Sequence, residues 1–113
     1  LLQSLQIPAN AEVASDPFFG KGGKMLAASQ RQQKLKFEVT APVISAEKPT
    51  ALCSFNFHQE HFGEAFHIRT EDGEVANTAC LGFGLERVVM ALFQAHGFDP
   101  EKWPSDVHDK LWS

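Results

Sequence analysis

Asn77-Thr78-Ala79-Cys80-Leu81-Gly82-Phe83-Gly84-Leu85-Glu86-Arg87 is the stretch on which the fold turns. Its first half has the small residues of a strand end, and Gly82 and Gly84 then let the backbone turn tightly. Beyond the turn, Leu85, Val88, Val89, Leu92 and Phe93 recur at helical spacing, and Gly97 supplies a stop. The stretch predicts a strand feeding a helix, with Arg87 in the first helical turn. A guanidinium placed there offers a planar, permanently charged fork suited to phosphate oxygens. The same side chain would serve equally well as the partner of a neighbouring carboxylate.

Upstream, Glu71-Asp72-Gly73-Glu74 holds an Asp-Gly turn, so residues 66–69 and 75–80 read as the arms of a hairpin. Before it, Cys53, Phe55 and Phe57 share one face of a strand, while Ser54, Asn56, His58 and Glu60 share the other. This alternation predicts the Phe face laid on a core and the polar face turned to solvent or to a site, with Gly63 interrupting the strand. Lys36 to Val43 alternates in the same way, with Phe37, Val39, Ala41 and Val43 expected on the buried side. Further out, Leu1–Gln6 reads as the end of a helix and residues 11–14 as a short strand. Ser15-Asp16-Pro17 reads as a turn, Gly20, Gly22 and Gly23 as a flexible stretch, and residues 24–33 carry no clear pattern. The tail after Asp99, with Pro100, Trp103, Pro104 and Trp112, is expected to pack over the surface. The sum is an α+β chain: an antiparallel β-sheet flanked by helices, without alternating βαβ units.

The 113 residues suffice for one domain, and 43% hydrophobic with 21% charged residues is the balance of a globular chain. Ten basic against fourteen acidic side chains give a charge of −4 with no block of like charge, which excludes a surface built to coat nucleic acid. No apolar run approaches the roughly 20 residues that span a bilayer, and nothing reads as a secretory signal. Two cysteines, Cys53 and Cys80, are too few for a disulfide scaffold and point to a reducing, cytoplasmic setting. Ten Phe and no Tyr favour buried rings without a polar handle. The chain opens at Leu1 inside an apolar run (Leu1, Leu2, Leu5), which reads as a piece of a longer protein, a trimmed start being the alternative.

Other candidates for chemistry are weaker. Gly20-Lys21-Gly22-Gly23-Lys24 lacks the Gly-Lys-Ser/Thr ending of a nucleotide-triphosphate loop and reads as a surface turn. His58 and His61, three apart on a strand, point to opposite faces and do not converge on one ion; His67 has no fixed register with them. Cys80, beside the glycine turn, is either a small buried hydrophobe or a soft zinc ligand. No nucleophile–base–orienter set can be assembled.

Together the pieces resemble a known family. Asn77 to Arg87 is similar to motif 3 of class II aminoacyl-tRNA synthetases, here spanning about residues 75–97. Asp16-Pro17-Phe18-Phe19-Gly20, Lys36-Phe37-Glu38, Ser45-Ala46-Glu47-Lys48-Pro49-Thr50 and Ser54 to Gly63 resemble amino acid:[carrier protein] ligases, truncated homologues of the atypical zinc-dependent seryl-tRNA synthetases. The resemblance runs across nearly the whole chain and implies that residues 1–113 are the C-terminal portion of a class II synthetase-like catalytic domain. It implies activation of a small amino acid by ATP to an aminoacyl adenylate, then transfer to the phosphopantetheine thiol of a carrier protein and not to tRNA. The cofactors it implies are zinc, and magnesium with ATP; the assembly is a homodimer. By the same resemblance Cys80 is a zinc ligand, Arg87 grips the ATP phosphates, and Ala51, Leu52, Cys53 and Ser54 line the nucleotide together with Lys36. Asn56 lines the amino-acid side of the pocket.

The departures matter as much. Motifs 1 and 2, and two further zinc ligands, have no counterpart in the chain and are expected upstream of Leu1, so the 113 residues alone should be inactive. A fragment of a seryl-tRNA synthetase, or a non-catalytic binding or packing module, are the competing readings.

Overall fold

Period-2 alternation becomes a four-stranded antiparallel sheet in which neighbours follow sequence order. Its strands are β1 (Asn10–Val13), β2 (Lys36–Ala41), β3 (Thr50–Gln59) and β4 (Thr78–Phe83). Among the described residues three helices accompany them, α1 (His61–Ala65), α2 (Leu85–His96) and α3 (Ser105–Trp112), with a 3-10 turn at Pro100–Lys102. This computed structural model describes residues 1–14 and 34–113. The turn expected at Ser15-Asp16-Pro17, the glycines 20, 22 and 23, the stretch 24–33 and the resemblance at 16–20 lie outside the described residues. Among the described residues no helix is long and apolar enough to cross a membrane.

The chain divides into two compact units. The first comprises Leu1–Glu12, Val39–Cys53 and Phe83–Ser113. Its core is Leu5, Ile7, Ala41, Val43, Leu52, Ala91, Leu92, Trp103 and Val107, with Val88 and Phe93 packed against it. The helix α2 forms where its spacing predicts, and Gly97 ends it with φ 91°, its N–H donating to the Phe93 carbonyl at 2.8 Å. The buried stripe is Val88–Ala91–Leu92, however, and Leu85 and Val89 stand exposed. The predicted stripe was too wide: the small Ala91 lets the helix approach the core on its own side. The tail does more than cover a surface. Pro104 starts α3, Val107 is wholly buried, and Trp103 sends its indole N–H to the Gly97 carbonyl at 2.8 Å. Leu1–Gln6 forms successive turns and not a helix end, with Gln6 at φ 52°. The His96 Nε2–H donates to the Leu5 carbonyl at 2.8 Å, and Gln6 Nε2 donates to Asp106 Oδ2 at 2.7 Å.

The second unit comprises Val13–Glu38 and Ser54–Gly82. Here β3 stops at Gln59, whose φ of 52° turns the chain into α1, a helix that the sequence reading missed in favour of a strand broken at Gly63. Gly63 is buried because the chain passes close by: a Cβ there would overlap the Ala76 carbonyl oxygen and stand 2.8 Å from Val75 Cγ1. The Asp-Gly hairpin is present, with an antiparallel bridge from Arg69 to Val75 and Gly73 at φ 86°.

One expectation is inverted. Phe55 and Phe57 are each 46% exposed and Phe37 is exposed as well, whereas Asn56 and His58 are buried. The alternation holds, but the covered face is the polar one. Burial there is tolerated because the polar groups meet one another across the sheet.

Candidate functional site

In the first unit the candidate site residue is Arg87. It projects from the first turn of α2, and its Nη1 donates to the Ala51 carbonyl of β3 at 3.0 Å. Just before the helix, the Gly84 N–H donates to the Leu52 carbonyl at 2.8 Å, so turn and guanidinium are both fastened to β3. No carboxylate among the described residues pairs with Arg87, which leaves four of its N–H donors for a ligand. The neighbouring expectations fare differently. Leu52 is only 1% exposed within the core and its carbonyl is taken by Gly84, so neither group is open to a nucleotide. Cys53 is buried too; burial pushes its thiol above the ordinary range, a backbone hydrogen bond to Val39 opposing this in part. Ala51 is half-buried.

In the second unit the structure gathers Ser54, Asn56, His58, Thr78 and Cys80. The register of β3 against β4 sets Asn56 opposite Cys80 and His58 opposite Thr78. Asn56 Nδ2 donates to Ser54 Oγ at 3.1 Å and to Cys80 Sγ at 3.6 Å; His58 Nδ1 and Thr78 Oγ1 share a hydrogen bond of 3.1 Å. Both amide hydrogens of Asn56 are thus committed, and its Oδ1 is buried with no partner among the described residues. A buried acceptor in that condition asks for a donor, such as an ammonium or hydroxyl group. Asn56 and Cys80 border a cleft of about 150 Å³ walled by Phe37, Phe55 and Phe57. Lys36 joins none of these groups: its Nζ pairs with Glu38 at 3.1 Å along β2. The His58–Thr78 contact is absent from the sequence reading, because the hairpin turn pairs Arg69 with Val75 and so runs in a different register.

Cys80 is an exposed thiol, not the small buried hydrophobe of the alternative reading. Among the described residues no group of three or more His, Cys, Asp or Glu is arranged to hold a metal ion. The Cys80 thiol is a single soft donor, and the described residues do not complete a zinc site around it.

Comparison with known proteins finds relatives along nearly the whole chain. Amino acid–[acyl-carrier-protein] ligase 1 of Bradyrhizobium diazoefficiens is 47% identical over 111 residues, covering 98% of this chain and 34% of the relative. Ligase 2 of the same organism is 45% identical over 111 residues, again 98% of this chain and 33% of the relative. The type-2 serine–tRNA ligase of Methanopyrus kandleri is 31% identical over 119 residues, covering 96% of this chain and 22% of that enzyme. A solved structure, that of M. kandleri SerRS in complex with A. aeolicus tRNASec, superposes with a TM-score of 0.76 at 27% identity, covering 97% of this chain and 22% of that one. No protein-family model matches. The chain spans about a third of the length of the ligases that it matches. Over that third, an antiparallel sheet with its helices in the class II synthetase arrangement and a sequence match along nearly every residue make the chain a homologue of the amino acid–[acyl-carrier-protein] ligases, related in turn to the type-2 serine–tRNA ligases.

Proposed function

We propose that the chain works within a longer ATP-dependent ligase that activates a small amino acid and delivers it to a carrier protein. In the first step the amino-acid carboxylate attacks the α-phosphate of ATP, the bond to pyrophosphate breaks, and an aminoacyl adenylate forms. In the second, the phosphopantetheine thiol attacks the adenylate carbonyl, losing its proton, and AMP leaves. The observation that carries this reading is 47% identity with an amino acid–[acyl-carrier-protein] ligase along 98% of the chain. Proteins of this kind need little acid–base work from their side chains; they position reactants and neutralise charge on the phosphates.

In that reading Arg87 grips the phosphates with the donors left over from Ala51, beside a magnesium ion carried by ATP. Ala51 and Ser54 border the nucleotide, while Leu52 and Cys53 contribute backbone support only; Lys36 reaches the nucleotide on release from Glu38. Asn56 offers its Oδ1 to the amino acid. Cys80 would supply one zinc ligand, the others coming from outside the described residues, and a zinc held there would offer a Lewis-acid position for the substrate's amino group. The enzyme is a cytoplasmic homodimer, and its two free thiols suit that compartment.

The test is ATP–pyrophosphate exchange by the full-length protein, followed by transfer to a phosphopantetheinylated carrier protein and, in parallel, to tRNA. Loading of the carrier is the expected outcome. Arg87→Ala should slow exchange about a hundredfold, on the order of 3 kcal/mol of transition-state stabilisation, and Arg87→Lys should not restore it. Normal exchange by Arg87→Ala removes the assigned role. A second reading, a tRNA ligase, draws on the structural match to SerRS; charging of tRNA without loading of the carrier would establish it in place of the first.

A further inference from the structure

The space beside the Gly84 Cα is already filled. A β-carbon built there would stand 3.2 Å from Arg87 Cδ, 3.5 Å from its Cγ and 3.6 Å from its Cβ. The backbone of Gly84, at φ −84° and ψ 94°, is extended and open to any residue, so conformational freedom is not what the position requires. It requires room for the aliphatic stem of Arg87. That stem passes close beside the Gly84 Cα, and from there Nη1 donates to the Ala51 carbonyl at 3.0 Å.

We propose that Gly84 is a positioning residue for Arg87: its missing side chain seats the arginine stem, and the Ala51 carbonyl then fixes the orientation of the guanidinium fork. This rests on the phosphate-binding role assigned to Arg87 above and adds the device that aims it. An arginine free to sweep several rotamers must lose that freedom each time it takes hold of a phosphate, whereas one held by its stem and one N–H presents the remaining donors in advance. A methyl group on Gly84 pushes the stem aside by a few tenths of an ångström and breaks the alignment with Ala51, because a hydrogen bond weakens steeply with angle.

The experiment is a double-mutant cycle in the full-length protein, with the parent, Gly84→Ala, Arg87→Ala and the double variant compared in ATP–pyrophosphate exchange and thermal unfolding. Gly84→Ala should raise KM for ATP about tenfold, leave KM for the amino acid unchanged, and keep or raise Tm, since alanine is at ease in this backbone conformation. In the Arg87→Ala background the same change should have no further effect. The inference is overturned if the two effects are additive, or if Gly84→Ala exchanges normally while Arg87→Ala is impaired. Normal exchange by Arg87→Ala would instead overturn the phosphate-binding role and this device with it.

Discussion

Gly63→Ala is the substitution for which the structure sets two effects of opposite sign against each other. On propensity alone the change should help, because alanine inside a helix is favoured over glycine by about 1 kcal/mol. The new methyl group, however, has nowhere to go: it overlaps the Ala76 carbonyl oxygen and lies 2.8 Å from Val75 Cγ1, with the Ala76 carbonyl carbon at 3.1 Å. The first obstacle is backbone and cannot turn away, so α1 must retreat from residues 75–76. Overpacking of this kind costs about 1–3 kcal/mol. The retreat also strains two hydrogen bonds that close the neighbourhood, Ile68 N–H to Gly63 O at 2.9 Å and Ala76 N–H to Ile68 O at 3.0 Å. At about 1 kcal/mol each, partly lost, they bring the net destabilisation to roughly 2–3 kcal/mol. The result is a lower Tm for the full-length Gly63→Ala protein than for its parent, read by thermal unfolding followed by circular dichroism. Gly82→Ala is the control, since none of the described residues lies within 4 Å of its added carbon and its Tm should hold or rise. A Gly63→Ala protein that melts with or above its parent would refute the close approach.

Further outcomes follow from the faces of β3 and from the two thiols. Phe55→Ala should cost about 1–2 kcal/mol, well short of the 3–5 kcal/mol for an outright buried ring, because its ring is half-exposed; a loss above 4 kcal/mol would mean that this face is covered. Asn56→Ala should raise KM for the amino acid in the exchange assay, and unchanged kinetics would show that the orphaned Oδ1 serves no ligand. Since the Cys53 thiol is raised by burial, stability should be level below the ordinary thiol range and fall above it, where the unfolded chain ionises first and binds fewer protons than the folded one. Cys53→Ala should flatten that limb, and equal slopes in parent and variant would contradict the burial argument. Iodoacetamide should label Cys80 well before Cys53 in the zinc-free full-length protein, and bound zinc should suppress the labelling; Cys80→Ala that retains a full zinc complement would end its role as a ligand.

The parts of the molecule that were legible in the sequence are those fixed by local rules. Helical spacing from Leu85 with Gly97 behind it, an Asp-Gly turn and clean period-2 alternation each produce their element without reference to the rest of the chain. Alternation says which side chains share a face, but not which face is covered, and that is why Phe55 and Asn56 exchanged environments. The polar face became an interior only because Cys80 and Thr78 arrive opposite it with complementary groups, a long-range coincidence that neither strand encodes alone. The helix α1 was hidden for a similar reason, since five residues are too few to display a period and its start depends on the backbone of Gln59. At the candidate site, the resemblance named residues, but what each group is committed to was not legible. Lys36 is held by Glu38, Leu52 is core, and Arg87 is held by a carbonyl that carries no sequence signature.

The ties from Leu5 and Gln6 to His96 and Asp106 have a consequence for the order in which the molecule can be made. Leu5 leaves the ribosome well ahead of His96 and Asp106, and at about 5–20 residues per second it waits on the order of 5–20 s for these partners to be synthesised. Throughout that interval Leu5 and Ile7, which end as nearly sealed core, are without the helices that cover them. The first unit is closed by its latest segment, so a nascent chain paused before Trp103 and Val107 lacks the residues that complete this core.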